Sequence, residues 1–135
     1  KDIQELVTKK LGDSQELVFK LTRSIAEKDK KNALKEYLEL LTYNVEPLGI
    51  IGLLESQLRI ILQIKLLEDR NMTNKEIASM LQEKEFRVKK TKELVALYSM
   101  KEIKELIIKL SNIDLKIKTT ETDPNTEIEL FIINL

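Results

Sequence analysis

Residues 47–68 read PLGIIGLLESQLRIILQIKLLE, and their pattern decides the fold. Pro47 stands where the first turn of a helix tolerates it, because the N–H it lacks would be unpaired there anyway. After it, apolar residues cover most of a helical circumference: Ile50, Ile51, Leu53, Leu54, Leu58, Ile60, Ile61, Ile64 and Leu67. A helix that is apolar nearly all round belongs in a protein core or in a membrane. Glu55, Arg59 and Lys65 interrupt the run, and each is costly at a bilayer centre. The segment therefore reads as the buried central helix of a helical domain, and no membrane partner is expected. Its polar residues gather in a narrow strip of Gly52, Ser56, Arg59 and Gln63, which marks either a solvated edge or a face kept for a partner. Gln57 interrupts the apolar stripe, and a residue so placed is expected to hydrogen-bond within the bundle or at a contact between subunits.

Helical spacing continues on both sides. Asp2 and Glu5 have the spacing of a capping box ahead of Ile3, Leu6, Val7 and Leu11, with Gly12 expected to end that helix. Leu17, Val18, Leu21 and Ile25 form the next stripe, which stops in the charged run EKDKK. Ala33, Leu34, Tyr37, Leu38 and Leu41 predict a helix packed antiparallel to it. Beyond the central helix, Thr73 with Glu76 and Ser99 with Glu102 repeat the capping box, the first opening a short helix with Ile77, Ala78 and Leu81 inward, the second a long amphipathic one. A further helix is expected to begin near Phe86. The segment TTETDPN at 119–125 reads as a loop whose Asp123 and Pro124 launch a last helix. The fold class expected is all-α, a compact helical bundle of about seven or eight helices. No fixed-period repeat or sustained heptad points to a solenoid or coiled coil.

Composition narrows the functions. The 135 residues suit one domain with one core, and 3 Gly with 2 Pro suit helices better than turn-rich strands. Lys plus Arg and Asp plus Glu balance at 23 each, so no overall field draws nucleic acid or anionic membrane. Cysteine and histidine are absent, which removes thiol and imidazole catalysis and the usual zinc ligands. The few glycines form no phosphate loop. No catalytic, cofactor-binding or metal residues are expected, and the chain suits a reducing cytoplasm. KDIQELVTKK has no signal-peptide pattern. A first residue that is Lys rather than Met suggests a piece of a longer polypeptide.

Two constellations invite a functional reading. Asp114 falls on the apolar stripe between Leu110 and Ile117, where an unpaired charge is costly, so a structural ion pair with Lys118 is expected. Residues 73–97 have the rhythm of a helix-turn-helix, with Arg87, Lys89, Lys90 and Lys92 placed to touch DNA phosphates. Against this alternative, no Gly occupies the turn, and Glu83, Glu85 and Glu93 dilute the positive patch.

In order and spacing these segments resemble the C-terminal part of the delta subunit of the bacterial DNA polymerase III clamp loader. Phe19, Leu21 and Ile25 match its "FxLxxAI" helix, and Ala33, Leu34, Leu38, Leu40 and Leu41 the pattern that follows. QLRIILQIK supplies the residues of a Pro-led helix, Gln57, Arg59, Leu62, Gln63 and Lys65. Thr73, Glu76, Ile77, Ala78, Leu81, Val88, Lys89 and Lys90 match a further segment. Asp114 and Lys118, then Leu130, Ile132 and Leu135, match the closing one. Two departures stand out. The family's Gly after the short helix is replaced near Gln82, and Leu58 stands where an aromatic is common.

The resemblance implies a collar domain at 13–135, with residues 1–12 ending a lid region. Such a collar joins the delta subunit to delta prime and gamma/tau subunits while ATPase-like portions rearrange. The sliding clamp and primer-template DNA would be met through the full-length parent or complex, a DNA-directed DNA polymerase (nucleotidyltransferase) holoenzyme. Clamp-opening residues would lie outside this chain. Gln57, Arg59, Gln63, Lys65, Asp114 and Lys118 would then be structural or interface residues.

Overall fold

A computed structural model describes the backbone of residues 2–135 and the side chains of residues 13–135. Among the described residues there are seven helices and no strand. They are α1 (Asp2–Ala26), α2 (Lys30–Thr42), α3 (Pro47–Glu68), α4 (Asn74–Leu81), α5 (Glu85–Val95), α6 (Met100–Thr119) and α7 (Pro124–Ile133). The expected break at Gly12 does not occur, because α1 runs through it as one helix. A single interior glycine costs a helix only about 1 kcal/mol relative to alanine, less than packing of a long apolar stripe returns. The capping box expected at Asp2 and Glu5 and the stripe from Ile3 to Leu11 lie outside the described side chains.

The starts of the later helices follow from local chemistry. The Thr73 hydroxyl accepts from the Glu76 N–H at 3.2 Å while Thr73 N–H donates to the Glu76 carboxylate at 3.0 Å. Ser99 and Glu102 repeat this at 3.1 and 3.0 Å. Bonds from the cap residue's backbone and side chain hold both glutamates below the usual carboxylate range. Asp123 accepts from both the N–H and the hydroxyl of Thr126, ahead of Pro124.

The ends are less conventional. Lys28, Asn44, Asn71 and Gln82 follow α1 to α4 with φ of 56°, 62°, 57° and 57°, while Gly49 and Gly52 lie inside α3. At Gln82 the Glu83 N–H donates back to the Ala78 carbonyl at 2.9 Å, a turn that needs its residue in the left-handed region. Gln82 thus makes this turn without the conformational freedom of a glycine. Gln82→Gly is expected to raise the unfolding free energy by about 0.5–1 kcal/mol by relieving its Cβ, read as a higher melting temperature.

The core is organised around α3, which packs against α1, α5, α6 and α7. Ile50, Ile61 and Ile64 are completely buried there, beside Leu21, Tyr37, Leu40, Leu94 and Ile103 from neighbouring helices. Leu53 departs from the expected core set at 41% exposure, because it shares a side of the helix with Gly49 and Ser56 rather than with Ile50. Two tyrosines tie distant parts of the chain together. The Tyr98 hydroxyl donates to the Thr22 carbonyl at 2.6 Å, and the Tyr37 hydroxyl donates to Asn125 Oδ1 at 2.5 Å. Among the described residues no helix is long and apolar enough to cross a membrane.

Candidate functional site

The polar strip of α3 faces outward: Gly52, Ser56, Arg59 and Gln63 all reach the surface. A Cβ placed on Gly52 would meet nothing within 4 Å. Arg59 reaches back to Glu55 at 3.4 Å, and the two are unequally covered, since the Arg59 side chain is mostly in solvent and Glu55 is buried. The guanidinium therefore serves as cover for a carboxylate that, along the sequence, looks like a mere interruption of the apolar run. Lys65 and Gln57 are half-buried.

Gln57 faces a groove of about 710 Å³ bounded by α1, the first half of α3, and α4–α5. Its apolar lining comes from Val18, Phe19, Leu53 and Phe86. The Phe19 ring lies under two cations, with Lys90 Nζ at 4.8 Å and the Arg23 guanidinium at 5.9 Å from its centroid. Phe86 is different: it is 68% exposed, with Lys84 Nζ 6.0 Å from its ring. Its position on the first turn of α5 carries it past the line of Val88, Thr91, Leu94 and Val95 that faces inward. A helix near residue 86 was legible in the sequence, but which way the ring points was not.

Three of the four basic residues of the helix-turn-helix reading are engaged within the chain. Arg87 meets Glu83 at 3.7 Å, Lys90 meets Glu16 at 2.5 Å and Lys92 meets Glu68 at 3.6 Å. Lys89 is exposed without an ion pair among the described residues. A phosphate backbone would have to compete with these carboxylates, and the cluster does not present itself as a DNA-reading surface.

Asp114 and Lys118 do pair, at 3.1 Å. Asp114 is half-buried rather than in the core, because the inward line of α6 runs through Ile103 and Leu110. Exposure makes the pair weak. Asp114→Ala is expected to cost less than about 1 kcal/mol, with a coupling to Lys118→Ala near ~0.5 kcal/mol in a double-mutant melting cycle. Elsewhere on α6, Ile108 and Leu115 are each 60% exposed, and their separation of two helical turns puts them on one face.

No group of three or more potential metal-ligating side chains occurs among the described residues. The titrating groups displaced furthest are Tyr37 and Tyr98, both raised chiefly by burial and both held in structural hydrogen bonds. Burial also raises Glu36, opposed by the hydrogen bond it accepts from Ser24 at 2.6 Å. What the outer surface offers is apolar contact and hydrogen bonding.

Residues 15–135 match the family described as DNA polymerase III delta subunit, C-terminal domain. The chain is 32% identical over 134 residues to the DNA polymerase III subunit delta of Bacillus subtilis, covering 99% of itself and 38% of that relative. Its fold is similar to the solved Bacillus subtilis DNA clamp loader delta protein, with a TM-score of 0.83 and 31% identity, over 90% of this chain and 36% of the other. With nearly the whole sequence matched and the helical architecture shared, the chain belongs to the family formed by the C-terminal domains of DNA polymerase III delta subunits.

Proposed function

We propose that residues 13–135 form a collar that holds a clamp-loader ring together and carry no catalytic step themselves. Residues 1–12 would be the end of the lid region of a longer delta subunit. The observation that carries this reading is the set of large apolar side chains left in solvent although the core is filled. Phe86, Ile108 and Leu115 are at least 60% exposed, and Leu38, Leu130 and Ile133 about half. Exposed apolar side chains that share a face, as Ile108 and Leu115 do on α6, favour a protein partner, and those on α2, α5 and α7 leave room for more than one neighbour.

The partners in this reading are the delta prime and gamma/tau subunits. Sliding clamp, primer-template DNA and nucleotidyl transfer belong to the full-length subunit and the polymerase complex in the cytoplasm. Gln57 and Gln63 offer amides to neighbouring chains, Arg59 shields Glu55, Lys65 stands half-buried in the last turn of α3, and Asp114 with Lys118 steadies α6. The helix-turn-helix alternative loses ground because Arg87, Lys90 and Lys92 already face carboxylates.

The test is co-purification of the other loader subunits with full-length delta, with and without residues 13–135. Loss of the complex on deletion is expected. A complex that assembles normally without these residues would overturn the collar.

A further inference from the structure

We infer that the groove between α1, α3 and α5 seats an amphipathic segment of a neighbouring loader subunit, apolar on one side and acidic at its edge. The inference rests on the collar reading and assigns one of its contacts. The groove combines apolar and polar lining, as docking surfaces do. Leu53 and Phe86 stand in solvent at 41% and 68% exposure, facing a volume of about 710 Å³. Around them Gln15, Ser56, Gln57 and Gln82 line the same space. Their side chains hydrogen-bond to no other group among the described residues, so donors and acceptors are available to an incoming backbone.

Charge selects the occupant. The two carboxylates in the lining, Glu16 and Glu83, are each matched by a cation of the same lining, Lys90 at 2.5 Å and Arg87 at 3.7 Å. Lys84 is left over; it makes no ion pair among the described residues and lies beside the Phe86 ring. The groove therefore carries one uncompensated positive charge next to its most exposed aromatic residue, which an acidic side chain next to an apolar anchor would complement. A second copy of this chain suits it less well, because a two-fold contact through this face would bring Lys84 toward its own equivalent.

The experiment uses the full-length subunit and measures its affinity for the remaining loader subunits. Phe86→Asp and Lys84→Glu alter exposed side chains, and melting curves matching the parent establish that both variants fold. Each is expected to weaken assembly about tenfold or more, as removal of a central anchor or its matched charge does at other interfaces. The Lys84→Glu loss should shrink at high salt. Unchanged affinity in both folded variants would overturn the groove assignment. If deletion of residues 13–135 still abolished assembly, the collar would stand without the groove, whereas assembly surviving the deletion would remove both. Effects of the two variants on self-association of the isolated subunit alone would identify the occupant as a second copy, and would also overturn the inference.

Discussion

Tyr98→Ala is expected to lower the unfolding free energy by about 3–5 kcal/mol, the range for emptying an aromatic site in a packed core. Tyr98 is 2% exposed, and its hydroxyl reaches the Thr22 carbonyl across 76 residues of sequence. The ring fills the junction of α5 and α6 while the hydroxyl anchors that junction to α1. Tyr98→Phe separates the two contributions. It keeps the ring and removes one hydrogen bond, which should cost about 1 kcal/mol. Urea unfolding of both variants measures the difference. A phenylalanine variant as unstable as the alanine one would mean that the hydroxyl, rather than packing, holds this corner.

Alkaline solution should expose the same two-point attachment. Burial, and after it the charges of Glu129 and Asp123, push the Tyr37 phenol up from 10.0 to about 12. Burial moves Tyr98 still further upward, with a smaller contribution from Glu102. In the unfolded chain both phenols ionise near their ordinary value, while in the folded chain they keep their protons. The folded form therefore binds more protons above about pH 10, so its stability declines as pH rises. The contribution is complete below about pH 10 and is lost as pH climbs through the folded values. The slope is about 1.4 kcal/mol per pH unit for each retained proton. Unfolding free energies measured between about pH 9 and 12 should fall steeply in the parent chain and flatten in Tyr37→Phe/Tyr98→Phe. A parent profile as flat as that of the double variant would show that these phenols ionise freely in the folded protein.

Both expectations concern how the first two helices are held to the rest of the bundle, and that arrangement bears on the proposed role. The groove is bounded on one side by α1 and on the others by α3 and α5. Its shape depends on α1 staying seated, which Tyr98, the Lys90–Glu16 pair and the Arg23–Glu93 pair at 3.6 Å all favour.

Much of the fold was legible because helices are local objects. The capping boxes at Thr73 and Ser99 need partners only three residues away, and both form. Pro47 and Pro124 begin helices for the same local reason. The apolar circumference of α3 marked it as the core helix, and Ile50, Ile61 and Ile64 are completely buried while Leu53 is not. Gly12 misled because the helix-breaking tendency of one residue is small against the buried stripe of Leu17, Val18, Leu21 and Ile25 that follows it.

The candidate site was much less legible. Gln57, Arg59 and Gln63 could be singled out, but not the groove beside them, since its walls come from three separate stretches of sequence. Phe86 and Leu53 carry the same residue-type signal as core residues, and only the direction in which each helix face points makes them surface.

What the amino-acid order determined by itself is the all-helical class, most helix boundaries, the central place of residues 47–68 and the absence of histidine and cysteine chemistry. Each follows from interactions within a turn or two of chain, or from composition alone. Tertiary structure decided which cations are neutralised, which apolar residues remain in water and which polar groups meet, as Tyr37 meets Asn125 across 88 residues and Lys90 meets Glu16 across 74. Those pairings depend on how whole helices are placed against one another, and helical periodicity specifies the face that is buried but not the neighbour that buries it.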